Sequence, residues 1–409
     1  MTDTVVDARG SSAARGGRGR RHGPLASALL ATALVAGMGA PASGAAGPGR
    51  PFPRRGPAGT GSPDRVNCNA IAGQPTSFYE DDLTYVDPVD DSATWHFATP
   101  ASQGMDVARL DGAARELAGQ GELASFVVLR NGAMVYERYF HGSNRHAANN
   151  VHSASKSMLS AAVGIAIQQG AIRSVDQRVA TLLPTYFARL GADKQQMKLR
   201  HLLTMTSGLD WTEDSTEYDI ETRPDWVAAI LGRPLNAPPG STFNYSTGSA
   251  HVVSAALTHA TGMSTCDFVH RNLFGPLGIT AEHWGRDPQG VFSGGYNLFL
   301  TPREMAKFGQ LYLDGGRWKG RQVVPASWVA TSTTSKVDAG GYGYGYYWWL
   351  TQVNGHDLAI AWGFGGQFIY IVRDLHLVVV MTTDTRNHTI DFNGESILQQ
   401  YVVPSISGG

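Results

Sequence analysis

His152-Ser153-Ala154-Ser155-Lys156-Ser157, followed by the apolar run from Met158 to Ala166, is the stretch that decides the reading of this chain. A lysine three residues after a serine lies one helical turn away, so at a helix start its amine comes to rest beside the hydroxyl. Taken alone the spacing is weak, and its weight comes from scarcity. Only six lysines occur, at 156, 194, 198, 307, 319 and 336, and only Lys156 completes a serine-x-x-lysine pattern. Arginine fills most other basic positions. A desolvated amine can take a serine proton, whereas a guanidinium keeps its charge. The backbone N–H groups of a helix start can also stabilise a developing oxyanion. The competing reading of the same residues is a serine N-cap followed by a solvated lysine.

Outward from this segment the chain alternates in character. Upstream, Val107, Leu110, Ala114 and Leu117 recur at helical spacing between Met105 and Gln120, with Asp106 placed to cap. Two β-rich runs between Phe126 and Phe140 meet at Asn131-Gly132, a strong hairpin signature. Downstream, helical patterns dominate: 157–169, 199–205, 226–231, 250–261 and 302–313. Strands return at 344–352, 357–361, 367–372 and 376–383, with a turn at Asn354-Gly355 and a closing helix after Asn393. Strands at both ends around a helical block predict an α+β fold: one antiparallel sheet built from both chain ends, flanked by terminal helices, plus a mostly helical lobe at about 153–340.

Arg15, Arg18, Arg20 and Arg21 precede an apolar run from Leu25 to Met38 and then Ala40-Pro41-Ala42, the layout of a secretory signal over residues 1–42. That run is too short to span a membrane. Residues 43–66 read as a Gly/Pro/Arg-rich disordered linker, leaving 67–409 as one domain and the product as a secreted protein, extracellular or periplasmic. With 42% hydrophobic residues, 16% charged and a formal net charge of −1, the composition is that of a globular protein, and scattered arginines exclude a nucleic-acid partner. Cys68 and Cys266 are the two cysteines. In an oxidising compartment such a pair is more often bridged than free, the other reading being two unrelated thiols. No H-E-x-x-H or His/Cys cluster suggests a metal, no cofactor is expected, and no G-x-S-x-G elbow is present.

The segment from His152 to Ser157 and the helix after it resemble the first motif of the β-lactamase-like serine hydrolases: class C β-lactamases, family VIII carboxylesterases and 6-aminohexanoate-dimer hydrolases. Further similar segments follow in order, namely Arg200 to Leu209, Pro238-Pro239-Gly240 leading to Phe243-Asn244-Tyr245-Ser246-Thr247-Gly248, and Thr301 to Gly309. The resemblance runs from about Gly104 to about Thr385. It implies Ser153 as nucleophile, Lys156 and Tyr245 as the proton-handling pair, and the backbone N–H groups of Ser153 and Phe364 as oxyanion hole.

Two departures bear on substrate. Relatives carry asparagine two residues after the tyrosine, where this chain has Thr247. Penicillin-recognising members carry Lys-Thr-Gly on the strand beside the nucleophile, and here the stretch is Ala361-Trp362-Gly363-Phe364. Ala361 and Trp362 cannot bind a carboxylate as lysine and threonine do. Thr247, Trp362 and Gly363 are therefore the expected pocket residues. The expected activity is hydrolysis of a small-molecule ester or amide; the alternatives are a D-alanyl-D-alanine carboxypeptidase or β-lactamase, and a non-catalytic binding or sensor domain. The acidic run Asp210, Glu213, Asp214, Glu217, Asp219, Glu221 and Asp225 reads as a solvated loop; the resemblance to 6-aminohexanoate-dimer hydrolases, in which the equivalent region helps form the pocket mouth, implies the other reading, an amine-binding role.

Overall fold

The computed structural model describes residues 94–407, apart from 214, 282 and 386–392. The leader, the linker and Cys68 lie outside the described residues. The architecture grows from the Asn131-Gly132 turn, where φ is +52° and +77°. Those left-handed values match the twist of the strands they join, β2 (Leu123–Arg130) and β3 (Ala133–Tyr139). The short strand β1 (His96–Phe97) pairs with β3 in parallel.

The C-terminal half supplies the other strands of this sheet. They are β9 (Val337–Asp338), β10 (Gly343–Tyr344), β11 (Trp349–Val353), β12 (His356–Gly363), β13 (Gln367–Val372) and β14 (Leu377–Thr383). The order is β1-β3-β2-β14-β13-β12-β11-β10-β9, antiparallel at every junction after the first. The two chain ends meet where β2 pairs with β14, Val128 opposite Val379.

Strand β13 is buried at every position, so the sheet must be covered on both faces. Alternation of side chains shows how. A Cβ on Gly309 of the helix Pro302–Leu313 would lie 2.8 Å from Ile369, whereas one on Gly394 of the helix Gly394–Ile397 would meet Tyr370 and Phe368. The terminal helix Val107–Ala118 lies with the C-terminal segment, the Tyr401 hydroxyl donating to Glu116 at 2.7 Å. Its Asp106 cap accepts from the Ala108 N–H at 2.8 Å.

Between the two halves of the sheet lie the helices Ser155–Gln168, Leu199–Leu203, Trp226–Gly232 and Thr247–Thr261. Helical spacing concealed two smaller elements. A three-stranded sheet joins β4 (Asn149–Asn150), β6 (Leu298–Leu300) and β5 (His283–Trp284), and β7 (Arg317–Trp318) pairs with β8 (Arg321–Gln322). Two- and three-residue strands are too short to show a period. The strand expected over 344–352 is broken, because Gly345 runs against the Ser332 carbonyl and Tyr347 turns at φ +62°. That break lets the Tyr347 carbonyl accept the Ser157 hydroxyl at 2.6 Å.

Helix Ser155–Gln168 is buried from Ser155 through Ala166, which explains why it is apolar on every side. Gly164 is its tightest point: an added Cβ would lie 2.2 Å from Cγ of Trp328, whose indole is stacked on Tyr346. Gly164→Ala gains up to about 1 kcal/mol of helix propensity, but overpacking costs about 1–3 kcal/mol. We expect net destabilisation, read as a lower denaturation midpoint at unchanged m-value.

Candidate active site

Strand β4 ends at Asn150, and a single 3-10 turn, His152–Ala154, carries Ser153 into the buried helix. Ala154, not the serine, occupies the N-cap position, and no side-chain cap bond is made there. The Ser153 hydroxyl is instead 2.7 Å from Nζ of Lys156, which removes the N-cap reading. His152 adopts φ +45°, a conformation that costs a non-glycine residue about 1 kcal/mol or more. It is held by Asn150, whose Oδ1 accepts from the His152 and Asn297 N–H groups, each at 3.0 Å, while its Nδ2 donates to Asn297 Oδ1 at 2.9 Å.

Lys156 is 1% exposed. Its Nζ also lies 2.8 Å from Oγ1 of Thr247 and 3.2 Å from the Gly295 carbonyl. Burial pushes its pKa down to about 8, against the opposing pull of the Glu213 and Glu217 carboxylates. A Cβ on Gly295 would sit 2.8 Å from that nitrogen, so a larger residue there would press on the lysine and move its amine. An amine in this state, beside a hydroxyl, can act as a general base near neutral pH.

The helix Thr247–Thr261 is capped by Ser246, whose Oγ accepts from the Ser249 N–H at 3.0 Å. That cap places Tyr245 and Thr247 on either side of the lysine. The Tyr245 ring centroid is 5.0 Å from Nζ, and the ring stacks on Trp349 at 5.7 Å. The tyrosine is half-buried.

The end of β12 closes the opposite wall. A Cβ on Gly363 would lie 2.2 Å from the Val151 carbonyl and 3.2 Å from the Ala154 N–H nitrogen, so only glycine lets the strand reach the serine turn. Phe364 follows, its ring 5.5 Å from that of His152. Ala361 is buried in the sheet, while Trp362 is half-exposed beside Trp349 (5.5 Å) and Tyr342 (6.1 Å). Trp348, the neighbour of Trp349 in the chain, is core instead, stacked on Phe308.

Sequence reasoning missed four residues here. Asn150, Asn297 and Gly295 sit in stretches with no motif. Glu213 belongs to the acidic run read as a solvated loop, yet it accepts from Trp211 Nε1 at 2.6 Å, from the Thr247 N–H at 3.0 Å, and from the Thr247 hydroxyl. The available signal was Thr247 itself, a short hydroxyl where relatives carry an amide.

The family model described as Beta-lactamase matches residues 101–399. The chain belongs to the Beta-lactamase family. Within this family, the 6-aminohexanoate-dimer hydrolase of Paenarthrobacter ureafaciens is 25% identical over 290 residues, 62% of this chain and 72% of that protein. The chain spans 62% to 72% of the length of the curated relatives it matches. Among solved structures, a candidate 6-aminohexanoate-dimer hydrolase from Bacillus anthracis superimposes with TM-score 0.65 at 23% identity, covering 78% of this chain and 89% of that one. EstCE1, a hydrolase with promiscuous acyltransferase activity, superimposes with TM-score 0.61 at 18% identity, covering 76% and 100%. These likenesses establish the β-lactamase/transpeptidase-like fold of this family member.

A base must be neutral to act, so kcat/KM should rise with pH through a midpoint at about 8, the value at which Lys156 loses its proton. Lys156→Arg should abolish that limb and lower kcat/KM by roughly three orders of magnitude. A pH–rate profile of an arginine variant that keeps the limb would show that another group titrates there.

Proposed function

We propose that this protein is a serine hydrolase that cleaves an ester or an uncharged amide through an acyl-enzyme on Ser153. Lys156 takes the Ser153 proton as Oγ attacks the carbonyl carbon. The N–H groups of Ser153 and Phe364 hold the oxyanion, and the close approach enforced at Gly363 supports that pairing. As the tetrahedral intermediate collapses, the proton passes through Tyr245 to the leaving alcohol or amine. Water then attacks the acyl carbon, its proton returning along the same path to Ser153.

The observation that carries the substrate class is the end of β12. Ala361 is buried and Trp362 stands in an aromatic wall with Trp349 and Tyr342, at the positions where a carboxylate-binding relative would offer a cation and a hydroxyl. Burying a substrate carboxylate without a partner costs several kcal/mol, whereas a neutral acyl chain fits against the rings. Arg386, another source of a cation, lies outside the described residues. Thr247 reaches the pocket through Lys156 rather than from its wall.

On this reading p-nitrophenyl butyrate is a better substrate than nitrocefin by kcat/KM, and Ser153→Ala loses covalent labelling by a fluorophosphonate along with roughly three orders of magnitude or more of turnover. A tenfold advantage for the cephalosporin would select a β-lactamase or D-alanyl-D-alanine carboxypeptidase instead. Absence of labelling in the unmodified protein would select a binding or sensor domain.

We also propose that the protein is exported after removal of residues 1–42, and that Cys266, fully buried on the helix Thr265–Val269, is joined to Cys68. Such a bridge would add roughly 3–5 kcal/mol in the chain-entropy model. Denatured but unreduced protein should then show no titratable thiol, and two thiols would overturn the pairing.

A further inference from the structure

We propose that Glu213 is a positioning residue which, by holding the Thr247 hydroxyl proton, aims the lone pair of neutral Lys156 at Ser153. The inference rests on the acyl-enzyme reading and adds a residue to it. Its basis is a count of donors and acceptors. Nζ of Lys156 has three partners: Ser153 Oγ at 2.7 Å, Thr247 Oγ1 at 2.8 Å and the Gly295 carbonyl at 3.2 Å. A charged lysine donates to all three. After losing one proton it keeps two N–H groups and gains one lone pair, and the partners decide which way that pair points.

The Gly295 carbonyl can only accept. A threonine hydroxyl could accept or donate, but the Thr247 proton is committed, because Oγ1 donates to Glu213 Oε1. A carboxylate has no proton to return. Thr247 is thereby fixed as an acceptor, and both lysine N–H groups are taken by Thr247 and Gly295. Ser153 is the one partner with a proton to give, so its O–H donates to Nζ. Glu213 is itself fixed, its Oε2 accepting from Trp211 Nε1 at 2.6 Å and from the Thr247 N–H at 3.0 Å.

Glu213→Gln tests this with little change of shape. Two N–H donors already claim the Oε2 position, so the glutamine carbonyl settles there and its amide NH2 faces Thr247 Oγ1. The threonine then accepts from the glutamine, and its freed proton turns to the lysine lone pair in competition with Ser153. The charge is lost as well. The titratable groups around Nζ are Glu213 and Glu217 from residues 213–217, Tyr245 beside the helix Thr247–Thr261, the Tyr296 phenol bonded to Glu221, and the buried phenols Tyr344 and Tyr347 beyond Tyr245. Both carboxylates favour the charged lysine. Removing one therefore makes the amine easier to deprotonate, and the acid limb moves to lower pH.

The experiment is the pH dependence of kcat/KM for p-nitrophenyl butyrate with the full chain. In Glu213→Gln the acid limb should move down by about one pH unit, while the high-pH plateau falls at least about tenfold. Thr247→Val, which keeps the shape and removes the hydroxyl, should also lower the plateau, and Thr247→Ser should hold it within about twofold. Because Glu213 acts through Thr247, the double variant Glu213→Gln with Thr247→Val should have the plateau of Thr247→Val alone. A plateau loss with an unmoved limb, an unchanged plateau, or losses that multiply in the double variant would each overturn the proposal. Failure of the underlying reading is distinguishable, because Ser153→Ala would then retain activity whatever Glu213 does.

Discussion

An amine shut away from water must either lose its charge or be surrounded by acceptors, and at Lys156 both demands shape the neighbourhood. At 1% exposure the side chain is desolvated enough for its pKa to fall to about 8, and oxygens of Ser153, Thr247 and Gly295 enclose the nitrogen. Each oxygen comes from a different segment. Ser153 sits in the 3-10 turn that leads into the lysine's helix, Thr247 opens the next long helix, and Gly295 lies on the approach to β6. The helical block is therefore organised around one nitrogen as much as around its apolar contacts.

Two close approaches at glycines make that convergence possible, one against side-chain atoms and one against backbone. Gly295 leaves room for the lysine amine, and Gly363 lets β12 reach the serine turn. The turn carries its own cost in the left-handed backbone of His152, offset by paired hydrogen bonds between Asn150 and Asn297. The neighbouring sheet strands β13 and β14 are buried on both faces.

The proposed site separates into a cluster around Ser153 and Lys156 and an aromatic wall. Ser153, Lys156 and Tyr245 can activate a hydroxyl against any carbonyl. On the proposed reading, the rings of Tyr342, Trp349 and Trp362, packed together beside Tyr245, form the wall that a substrate meets. In the proposed function such a wall rewards apolar area, which is the basis for the proposed preference for neutral substrates.

Much of this was legible in the sequence, because the relevant signals are local. Serine-x-x-lysine spacing, the Asn131-Gly132 turn, and the β-rich apolar runs of β13 and β14 each depend on residues within one helical turn or one strand, and the structure places those elements where the patterns point. The sequence also carried the loss of a cation and a hydroxyl at Ala361-Trp362. It could not reveal that the acidic run contributes Glu213 to the site, since a carboxylate in a charged loop has the same local signature whether it faces water or Thr247. Nor could it reveal the pairing of Asn150 with Asn297, or the two- and three-residue strands β4, β5 and β6. Those depend on contacts between residues far apart in the chain, and a hydrogen bond across such a distance leaves no periodicity for a sequence to display. The sequence by itself determined which residues could do the chemistry; only the tertiary structure decided which acceptors surround the lysine, because that choice is made by proximity after folding.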